Sequence, residues 1–298
     1  MNKLIFIGGA TATGKSELAI EIAGELGGEI LNADSMQLYR GMDIGTAKLS
    51  EAVRSGIKHH LIDVVDPSED VTVSWYQEEA RKIIDDLLQI KPVVVVGGTG
   101  LYIKAILDDL NFPETNEEVR DSLNQLAEKI GADALHERLA KLDPAAALAI
   151  PKENIRRVVR ALEVIEITGK PFTANLPREG STKYPDAIQF GLELDRETLD
   201  ERIERRVDEM WEKGFVEEVK TLLNSPLGRT AKQAIGYSQI INYLNDECSE
   251  SDAKELTKIA TRQYARRQET WFKRDERINW VQPGSNRKEL VLRDILKA

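Results

Sequence analysis

A glycine-rich stretch near the start of the chain has the residue types of a phosphate-binding loop. It reads Gly9-Ala-Thr-Ala-Thr-Gly-Lys-Ser16 and follows the apolar segment Leu4–Ile7. In the pattern G-x-x-x-x-G-K-S between a strand and a helix, loop N–H groups and the helix N-terminus bind a di- or triphosphate. Lys15 would then reach the terminal phosphate oxygens, and Ser16 would contact a phosphate-bound Mg²⁺. We therefore predict that Gly9, Ala10, Thr11, Ala12, Thr13, Gly14, Lys15 and Ser16 bind a polyphosphate.

Two further polar residues, Asp34 and Thr99, follow apolar segments that read as strands. Ligands bind at the carboxyl ends of strands in parallel sheets, so we expect both side chains to share one rim with the loop. Asp34 has the chemistry of a general base beside a phosphate-bearing substrate, or of a carboxylate that satisfies local turn amides. Gln37 carries the paired donor and acceptor that suit an adenine edge. Thr99 lies in Gly97-Gly-Thr-Gly100, which also reads as a plain turn before a helix.

The elements that must position these residues alternate between strands and helices. A helix is predicted over 16–26, another from a capping box at Ser74–Gln77 to about Ile90, and a long one over 251–274. On that last helix, the apolar side is predicted to carry Leu256, Ala260, Tyr264 and Trp271. Strands are predicted at Leu4–Ile7, Glu29–Asp34, Leu61–Val65, Val93–Val96 and Ile188–Leu194. Continuous apolar strands indicate a parallel sheet that is covered on both faces.

The middle of the chain has a different character from its two ends. Residues 114–185 contain helical patterns and loops, including a loop over 173–185, but no convincing buried strand. Asn154 is predicted to cap a helix within this part. We therefore predict an α/β fold with a P-loop NTPase-like parallel sheet, flanked by helices, over 1–112 and 187–298. A helical subdomain over 113–186 is inserted into it.

Composition limits the classes of function. The chain has 298 residues, a formal net charge of −10 and one cysteine, so we expect a soluble cytoplasmic protein with neither an internal disulfide nor a cysteine-rich zinc site. No apolar run approaches the length of a membrane span. The acidic total argues against nucleic acid, but local patches decide phosphate binding. Two helices have basic faces, which read either as solvated surfaces or as sites for a polyanion such as RNA: Arg156, Arg157 and Arg160, and Lys258, Arg262, Arg266 and Lys273.

The phosphate loop alone does not define the reaction. A nucleotide-hydrolysing protein of this type usually has an acidic residue at a strand end to hold Mg²⁺, whereas Val93–Val96 runs into glycines. Asp34 or Asp63 could take that role. A small-molecule kinase and a nucleotide-switched binding protein therefore stay open as alternatives at this point.

Ordered motifs along nearly the whole chain carry a family resemblance. They are Gly9–Ser16, Asn32–Tyr39, Gly41–Lys48, His59–Asp63, Gly97–Tyr102, Arg160–Val164, Thr168–Pro171, Ala234–Tyr237, Thr261–Gln268 and Thr270–Phe272. On these residues the sequence resembles the bacterial tRNA dimethylallyltransferase (tRNA isopentenyltransferase) family. Two features bear on the match: Ala10 stands where the family commonly has proline, and no C-terminal Cys/His zinc module of the eukaryotic kind is present, so the resemblance is to the short bacterial form.

The resemblance implies a reaction and a set of roles. The family transfers a dimethylallyl group from dimethylallyl diphosphate to the exocyclic amine of the adenine 3′ of the anticodon. The loop would thus bind a diphosphate leaving group with Mg²⁺ as cofactor, Asp34 would be the general base, and Thr99 would lie at the reacting centre with Lys15 and Ser16. We expect a monomer that binds tRNA and does not bind a membrane. The implied tRNA contacts are Asp34, Ser35, Met36, Gln37, Thr99, Arg120, Arg156, Arg157, Arg160, Gln233, Gly236, Tyr237, Arg266, Arg267, Gln268 and Lys273.

A related reaction is the main alternative within this resemblance. Adenylate isopentenyltransferases share the core chemistry but act on a free nucleotide. The inserted subdomain and the two basic helices favour tRNA as the acceptor.

Overall fold

A computed structural model describes residues 2–54, 56–175, 182–284 and 286–297. The chain divides into two compact units, Met1–Leu107 with Tyr184–Ala298, and Asp108–Lys183. Residues 176–181 of the predicted loop over 173–185 lie outside the described part. Within the described residues, no helix is both long enough and apolar enough to span a membrane.

The first unit is built on one parallel sheet. Its strands are β1 (Leu4–Gly9), β2 (Glu29–Asn32), β3 (His59–His60), β4 (Val93–Gly97), β5 (Ile188–Leu192) and β6 (Ile278–Val281). Their order across the sheet is β3-β2-β4-β1-β5-β6, and all the pairs are parallel. In β1, Phe6 faces one hydrophobic core and Ile5 faces the other. Burial on both faces explains why the strands read as continuous apolar runs.

Helices cover both faces of this sheet. In the first unit they are α1 (Lys15–Leu26), α2 (Val73–Leu87), α3 (Gly100–Leu107), α7 (Arg196–Glu212), α8 (Phe215–Leu222), α9 (Arg229–Lys232), α10 (Tyr237–Leu244), α11 (Glu250–Phe272) and α12 (Arg287–Lys297). The second unit contains α4 (Glu117–Leu142), α5 (Pro144–Ala149), α6 (Ile155–Thr168) and a 3₁₀ helix, Phe172–Asn175. As predicted, Asn154 caps α6, since its side chain accepts a hydrogen bond from the N–H of Arg157.

Two local predictions are wrong. The strand predicted at Leu61–Val65 is replaced by the short β3, because Leu61 and Asp63 have φ of 56° and 57°, which an extended strand cannot accommodate. Helix α2 begins earlier than the predicted capping box, since the side chain of Thr72 accepts a hydrogen bond from the N–H of Trp75. Thr72 and Ser74 both carry a hydroxyl that could cap a helix, and the backbone geometry decides which of them does.

The buried face of α11 also differs from the prediction. Leu256 and Trp271, which were expected on the apolar side, are 47% and 42% exposed. The buried residues are Ala253, Thr257, Ala265, Gln268 and Phe272. Small side chains let the helix lie close to the sheet, where a Cβ on Gly8 would come within 2.8 Å of the Phe272 ring. Packing distance, rather than side-chain size, decides which face is buried.

Candidate active site

The phosphate loop joins β1 to α1 and has the backbone shape of an anion cradle. Gly9, Ala12 and Gly14 all have positive φ, and Gly14 precedes α1 with no side-chain cap on the first turn. The buried Thr13 hydroxyl donates to the Ala10 carbonyl at 2.9 Å, which closes the loop on itself. An uncapped helix N-terminus after such a loop leaves N–H groups free to bind an anion.

Lys15 lies across this loop. Its Nζ donates to the Ala10 carbonyl at 3.1 Å. Burial and the nearby Arg206 guanidinium lower the pKa of Lys15 to about 8, although Asp34 and Glu17 act in the opposite direction. Burial and a neighbouring cation both disfavour the charged form of Lys15. A bound anion would therefore stabilise that form.

Arg206 is a candidate functional residue that sequence reasoning missed. Its guanidinium donates to the Thr11 hydroxyl at 2.9 Å, so it reaches the phosphate loop from α7. Burial lowers its pKa, with Asp34 and Glu17 acting in the opposite direction. The available signal was the spacing of Arg202, Arg205 and Arg206, which puts three cations on one side of α7.

Asp34 follows β2 and is held by local hydrogen bonds. Its Oδ1 accepts from the N–H of Met36 at 2.9 Å. The side chain of Asn32 bonds to both backbone groups of Asp34 and to the Leu61 carbonyl. These hydrogen bonds use only Oδ1 of the carboxylate. Within the described residues, Oδ2 of Asp34 has no hydrogen bond.

Thr99 connects the end of β4 to the segment that carries Asp34. Its N–H donates to the Ala33 carbonyl, and its hydroxyl accepts from the N–H of Ser35, each at 3.1 Å. Tyr264 lies close to Thr99; burial raises the pKa of Tyr264 to about 12, with Asp34 acting in the same direction. Sequence reasoning had assigned Tyr264 to an apolar face and so missed this contact.

A cavity at the carboxyl ends of β1, β2 and β4, which we call the rim cavity, brings Lys15, Asp34 and Arg206 together, whereas Thr99 is not part of its lining. Its polar lining includes Lys15, Ser16, Asp34, Gln37 and Arg206, and its apolar lining is Ile30, Ala47, Leu49, Ile62 and Val96. It therefore combines an anion-binding end, a hydrocarbon-compatible wall and a carboxylate. A second, more open cavity, the outer cavity, adjoins Lys15 and Ser16 and is bordered by Lys48, Arg202, Arg205, Arg206 and Lys213.

Two glutamines expected at the tRNA are engaged with the protein itself. Gln37 donates from Nε2 to the Thr46 carbonyl at 3.0 Å. Gln268 is only 5% exposed; its Oε1 accepts from the N–H of Thr11, and its Nε2 donates to the Gly98 carbonyl, each at 2.9 Å. Gln268 thus ties the phosphate loop to the turn that carries Thr99.

The predicted tRNA-contacting residues of the second unit divide into two pairs. Arg120 and Arg160 bind the fully buried Glu163 at 3.0 and 2.9 Å. Burial alone would raise the pKa of Glu163, but the hydrogen bonds from both arginines hold it below its usual value. Arg156 and Arg157 are exposed on α6. The first pair therefore stabilises the unit, and the second pair is available to a polyanion.

The predicted basic stripe on α11 is largely neutralised. Lys258, Arg262, Arg266 and Lys273 form ion pairs with Asp208, Glu204, Asp200 and Glu193, respectively. A cationic surface does occur at the C-terminal end of α11, where a shallow pocket is lined by Arg266, Arg267, Thr270, Trp271 and Arg274. Exposed arginines beside an exposed indole are suited to phosphates and stacked bases.

The remaining predicted contacts differ in accessibility. Tyr237 is 1% exposed, and its hydroxyl donates to Glu218 at 2.7 Å, so this side chain belongs to the core. Gly236 is also buried, with φ of 87°. Gln233 is exposed, and Ser35 and Met36 are half-buried beside Asp34.

A parallel sheet whose first strand runs into this loop defines a protein of the P-loop NTPase-like class. The IPP transferase family model matches residues 37–275, and an isopentenyl transferase model matches residues 2–66. The chain belongs to the IPP transferase family. The fold and the family resemblance predicted from the sequence are thereby confirmed.

Named relatives agree over most of the chain. A tRNA dimethylallyltransferase of Streptomyces griseus subsp. griseus is 53% identical over 286 residues, which are 95% of this chain and 91% of that protein. One of Thermobifida fusca is 53% identical over 290 residues, with 94% and 90% covered. Among solved structures, a tRNA isopentenylpyrophosphate transferase of Staphylococcus epidermidis is 35% identical with a TM-score of 0.74, covering 100% of this chain and 99% of that one. A eukaryotic dimethylallyltransferase acting on tRNA is 29% identical with a TM-score of 0.83, covering 100% and 80%.

Proposed function

We propose that this protein transfers a dimethylallyl group from dimethylallyl diphosphate to the exocyclic amine of the adenine 3′ of the anticodon in tRNA. The observation that carries the proposal is the rim cavity, which is lined by Lys15, Ser16 and Arg206, by the Asp34 carboxylate, whose charge acts on Lys15 and Arg206, and by apolar side chains. The family names of the relatives support the same reaction.

The phosphate end provides leaving-group stabilisation. As the allylic C–O bond breaks, negative charge grows on the diphosphate, and Lys15, Arg206 and the loop N–H groups are placed to stabilise it. Ser16 and the diphosphate oxygens form a hard-oxygen donor set that fits Mg²⁺, which would add positive charge there. Among the described residues, no group of three or more His, Cys, Asp or Glu could hold a metal by itself, so the ion would depend on the diphosphate.

The opposite side of the rim cavity provides the base. Asp34 would accept a proton from the adenine amine as the N–C bond forms, and Thr99 would hold the Asp34–Ser35 backbone in place through the N–H of Ser35. The adenine must leave its stack in the anticodon loop to reach this rim, at a cost of a few kcal/mol.

Exposed cations support tRNA as the acceptor. Arg156 and Arg157 in the second unit, and Arg266, Arg267 and Arg274 in the first, offer local positive surfaces on an acidic chain. We also propose that the protein works as a monomer in the cytoplasm.

A labelling experiment tests the reaction and its acceptor. The protein is incubated with labelled dimethylallyl diphosphate and Mg²⁺, together with unmodified tRNA or with AMP. Label in tRNA alone is the expected result. Label in AMP alone would support an adenylate isopentenyltransferase. No transfer to either acceptor, with ATP turnover in a parallel incubation that contains ATP, would overturn both readings in favour of a kinase or nucleotidase.

A further inference from the structure

The Gly41–Lys48 segment, which we call the 41–48 turn, forms part of the substrate cavities without supplying a charged group to the proposed chemistry. Thr46 and Ala47 line the rim cavity, and Ile44, Ala47 and Lys48 line the outer cavity beside Lys15 and Ser16. The turn lies between β2 and β3 and belongs to neither strand. Its position must therefore be fixed by contacts from elsewhere in the fold.

Glu218, on α8, provides the strongest of these contacts. Its Oε2 accepts from the N–H groups of Asp43 and Ile44 at 3.0 and 2.7 Å, and its Oε1 accepts from the N–H of Gly45 at 3.2 Å. The Tyr237 hydroxyl donates to the same Oε1 at 2.7 Å. A single carboxylate thus binds three successive backbone N–H groups, which is a strong, charge-assisted arrangement.

Close packing holds the same turn against an aromatic pair. The rings of Phe215 and Tyr237 meet edge to face with centroids 4.9 Å apart. A Cβ on Gly45 would lie 2.3 Å from the Phe215 ring and 2.6 Å from that of Tyr237. Only glycine fits at this position without displacing the two rings, so the backbone of the turn packs directly against them.

The far end of the turn is held by Lys48. Its Nζ binds the Tyr39 carbonyl at 2.6 Å and Asp43 at 2.7 Å, and it pairs with Asp63 at 2.5 Å. The Lys48 side chain is 3% exposed. Asp43 lies within the turn, whereas Tyr39 and Asp63 lie outside it, so Lys48 holds the turn closed and ties it to these two segments. Glu218 fixes its location relative to α8.

The 41–48 turn is also linked to the acceptor side of the rim cavity. The Thr46 carbonyl accepts from Nε2 of Gln37, whose neighbour in the same cavity is Asp34. The phosphate loop, by contrast, has its own long-range hydrogen bonds: it donates to Gln268 and accepts from Arg206 and Arg287. A shift of the turn would therefore move Ala47, which is its part of the apolar wall, together with Gln37, while the phosphate loop keeps its own contacts.

We propose that Glu218 is a positioning residue that sets the hydrocarbon wall of the substrate cavity by holding the 41–48 turn. This role rests on the proposed function for the identity of the hydrocarbon. Glu218 lines neither the rim cavity nor the outer cavity; it acts through Ile44, Ala47 and Gln37. The proposal separates recognition of the prenyl chain from recognition of the diphosphate, which depends on the phosphate loop.

The test uses Glu218→Gln in the full chain, because the amide keeps the side-chain shape but turns one acceptor into a donor that faces backbone N–H groups. The matched control is Glu217→Gln, since Glu217 is exposed on the same helix and its carboxylate pairs with Lys220, away from the 41–48 turn. For each protein, we would measure calorimetric affinity for dimethylallyl diphosphate and for inorganic diphosphate, and kcat and KM with tRNA in excess.

The expected result for Glu218→Gln is an affinity for dimethylallyl diphosphate lower by about tenfold, with inorganic diphosphate bound within about twofold of the wild type, since one charge-assisted contact is lost at a distance from the phosphate loop. Glu217→Gln should match the wild type. Glu218→Asp, which restores the charge on a shorter arm, should recover part of the affinity. Unchanged prenyl affinity, or equal loss for both ligands, would overturn the proposal.

The two proposals fail separately in this design. If the wild type transfers no label to tRNA, the proposed function falls, and the calorimetric comparison still decides whether Glu218 shapes a hydrocarbon site. If the wild type transfers label and Glu218→Gln behaves like Glu217→Gln, only the role of Glu218 falls. A thermal unfolding curve for each variant confirms that folded protein is being compared.

Discussion

Asp34 combines a fixed backbone with a carboxylate that faces the phosphate-binding groups. Asn32 holds its N–H and carbonyl, and the N–H of Met36 occupies Oδ1. An asparagine at this position can keep the Oδ1 contact while losing the ability to accept a proton. The structure therefore allows the basic function of Asp34 to be removed with little change in its surroundings.

We predict that Asp34→Asn lowers kcat by about 10²–10⁴-fold, the usual contribution of a general base. The affinity for tRNA should stay within about tenfold of the wild type, because a single side chain contributes little to a large polyanion interface. Single-turnover transfer and a filter-binding titration measure the two quantities. Equal losses in both would show that Asp34 serves in binding rather than as the base.

Lys15 gives a prediction on pH dependence. Burial and Arg206 lower its pKa to about 8 in the free protein. A bound diphosphate favours the charged form and raises that pKa, so binding takes up a proton once the pH exceeds about 8. The contribution of Lys15 to affinity is therefore complete at pH 7 and lost as the pH rises.

For the wild type, the affinity for dimethylallyl diphosphate at pH 9 should be lower than at pH 7 by about tenfold, as follows from linkage with that pKa. Calorimetry at both pH values measures the change. Lys15→Met is the control, because it removes this titration and leaves any titration of the ligand. The same fall in the control would mean that Lys15 is not the group responsible.

At the scale of elements, α11 organises the site from below. Its buried face places Gln268 between the phosphate loop and the Gly98 carbonyl, and it places Tyr264 beside Thr99. A Cβ on Gly98 would lie 2.1 Å from Nε2 of Gln268, so the glycine leaves room for this bridge. The phosphate loop and the turn that carries Thr99 are thus both hydrogen-bonded to the same helix.

Replacing Gln268 by leucine should lower the free energy of unfolding by about 1–3 kcal/mol, since a buried N–H and a buried carbonyl lose their partner. It should also raise KM for dimethylallyl diphosphate, because Thr11 is no longer held. Urea unfolding and steady-state kinetics measure these effects. Gln263→Leu, at an exposed position of the same helix, is the control and should change neither. A wild-type KM in Gln268→Leu would contradict the bridging role.

Local patterns predict elements better than they predict faces. The phosphate loop, α1 at Lys15 and the apolar strands follow from glycine spacing and continuous hydrophobic runs. The buried side of α11 does not, because Ala253, Thr257 and Ala265 are small residues whose burial depends on how closely the neighbouring elements pack against the helix. The true third strand is two residues long, too short for any periodicity to indicate it.

At the scale of the whole molecule, the charge is acidic but not uniform. Ion pairs neutralise most of the basic residues along α11, and Arg120 and Arg160 are paired with the buried Glu163. Counting basic residues along a helix therefore overestimates the surface that a polyanion can contact. The cations that stay accessible are fewer, and Arg156 and Arg157 are among them.

The double substitution Arg156→Gln with Arg157→Gln should raise KM for tRNA by about tenfold and reduce the dependence of binding on salt by roughly one to two released ions. KM for dimethylallyl diphosphate should not change. Titrations of tRNA binding over a roughly tenfold range of salt concentration measure how steeply the affinity falls with salt. The charge-matched control is Arg293→Gln with Lys297→Gln on α12, and an equal effect in that control would reduce the result to net charge.

The candidate site was predictable in part. Motif spacing indicates Lys15, Ser16, Asp34 and Thr99, because each follows a strand that can be read from the sequence. Arg206, Tyr264 and the bridging role of Gln268 could not be read in this way, since they approach the loop from helices whose placement only the assembled fold defines. Charge and hydrogen-bonding capacity are visible in a sequence, but the partner that uses them is not.

The parallel order of the strands has a consequence for the way the protein is made. Ile5 in β1 pairs with Ile188 in β5, and the phosphate loop is hydrogen-bonded to side chains 195, 257 and 274 residues away. Pairings between such distant segments form slowly, since a long loop must close before any contact compensates for the lost entropy. During synthesis, the phosphate loop therefore emerges long before Arg206, Gln268 and Arg287, the distant side chains that contact it in the folded protein.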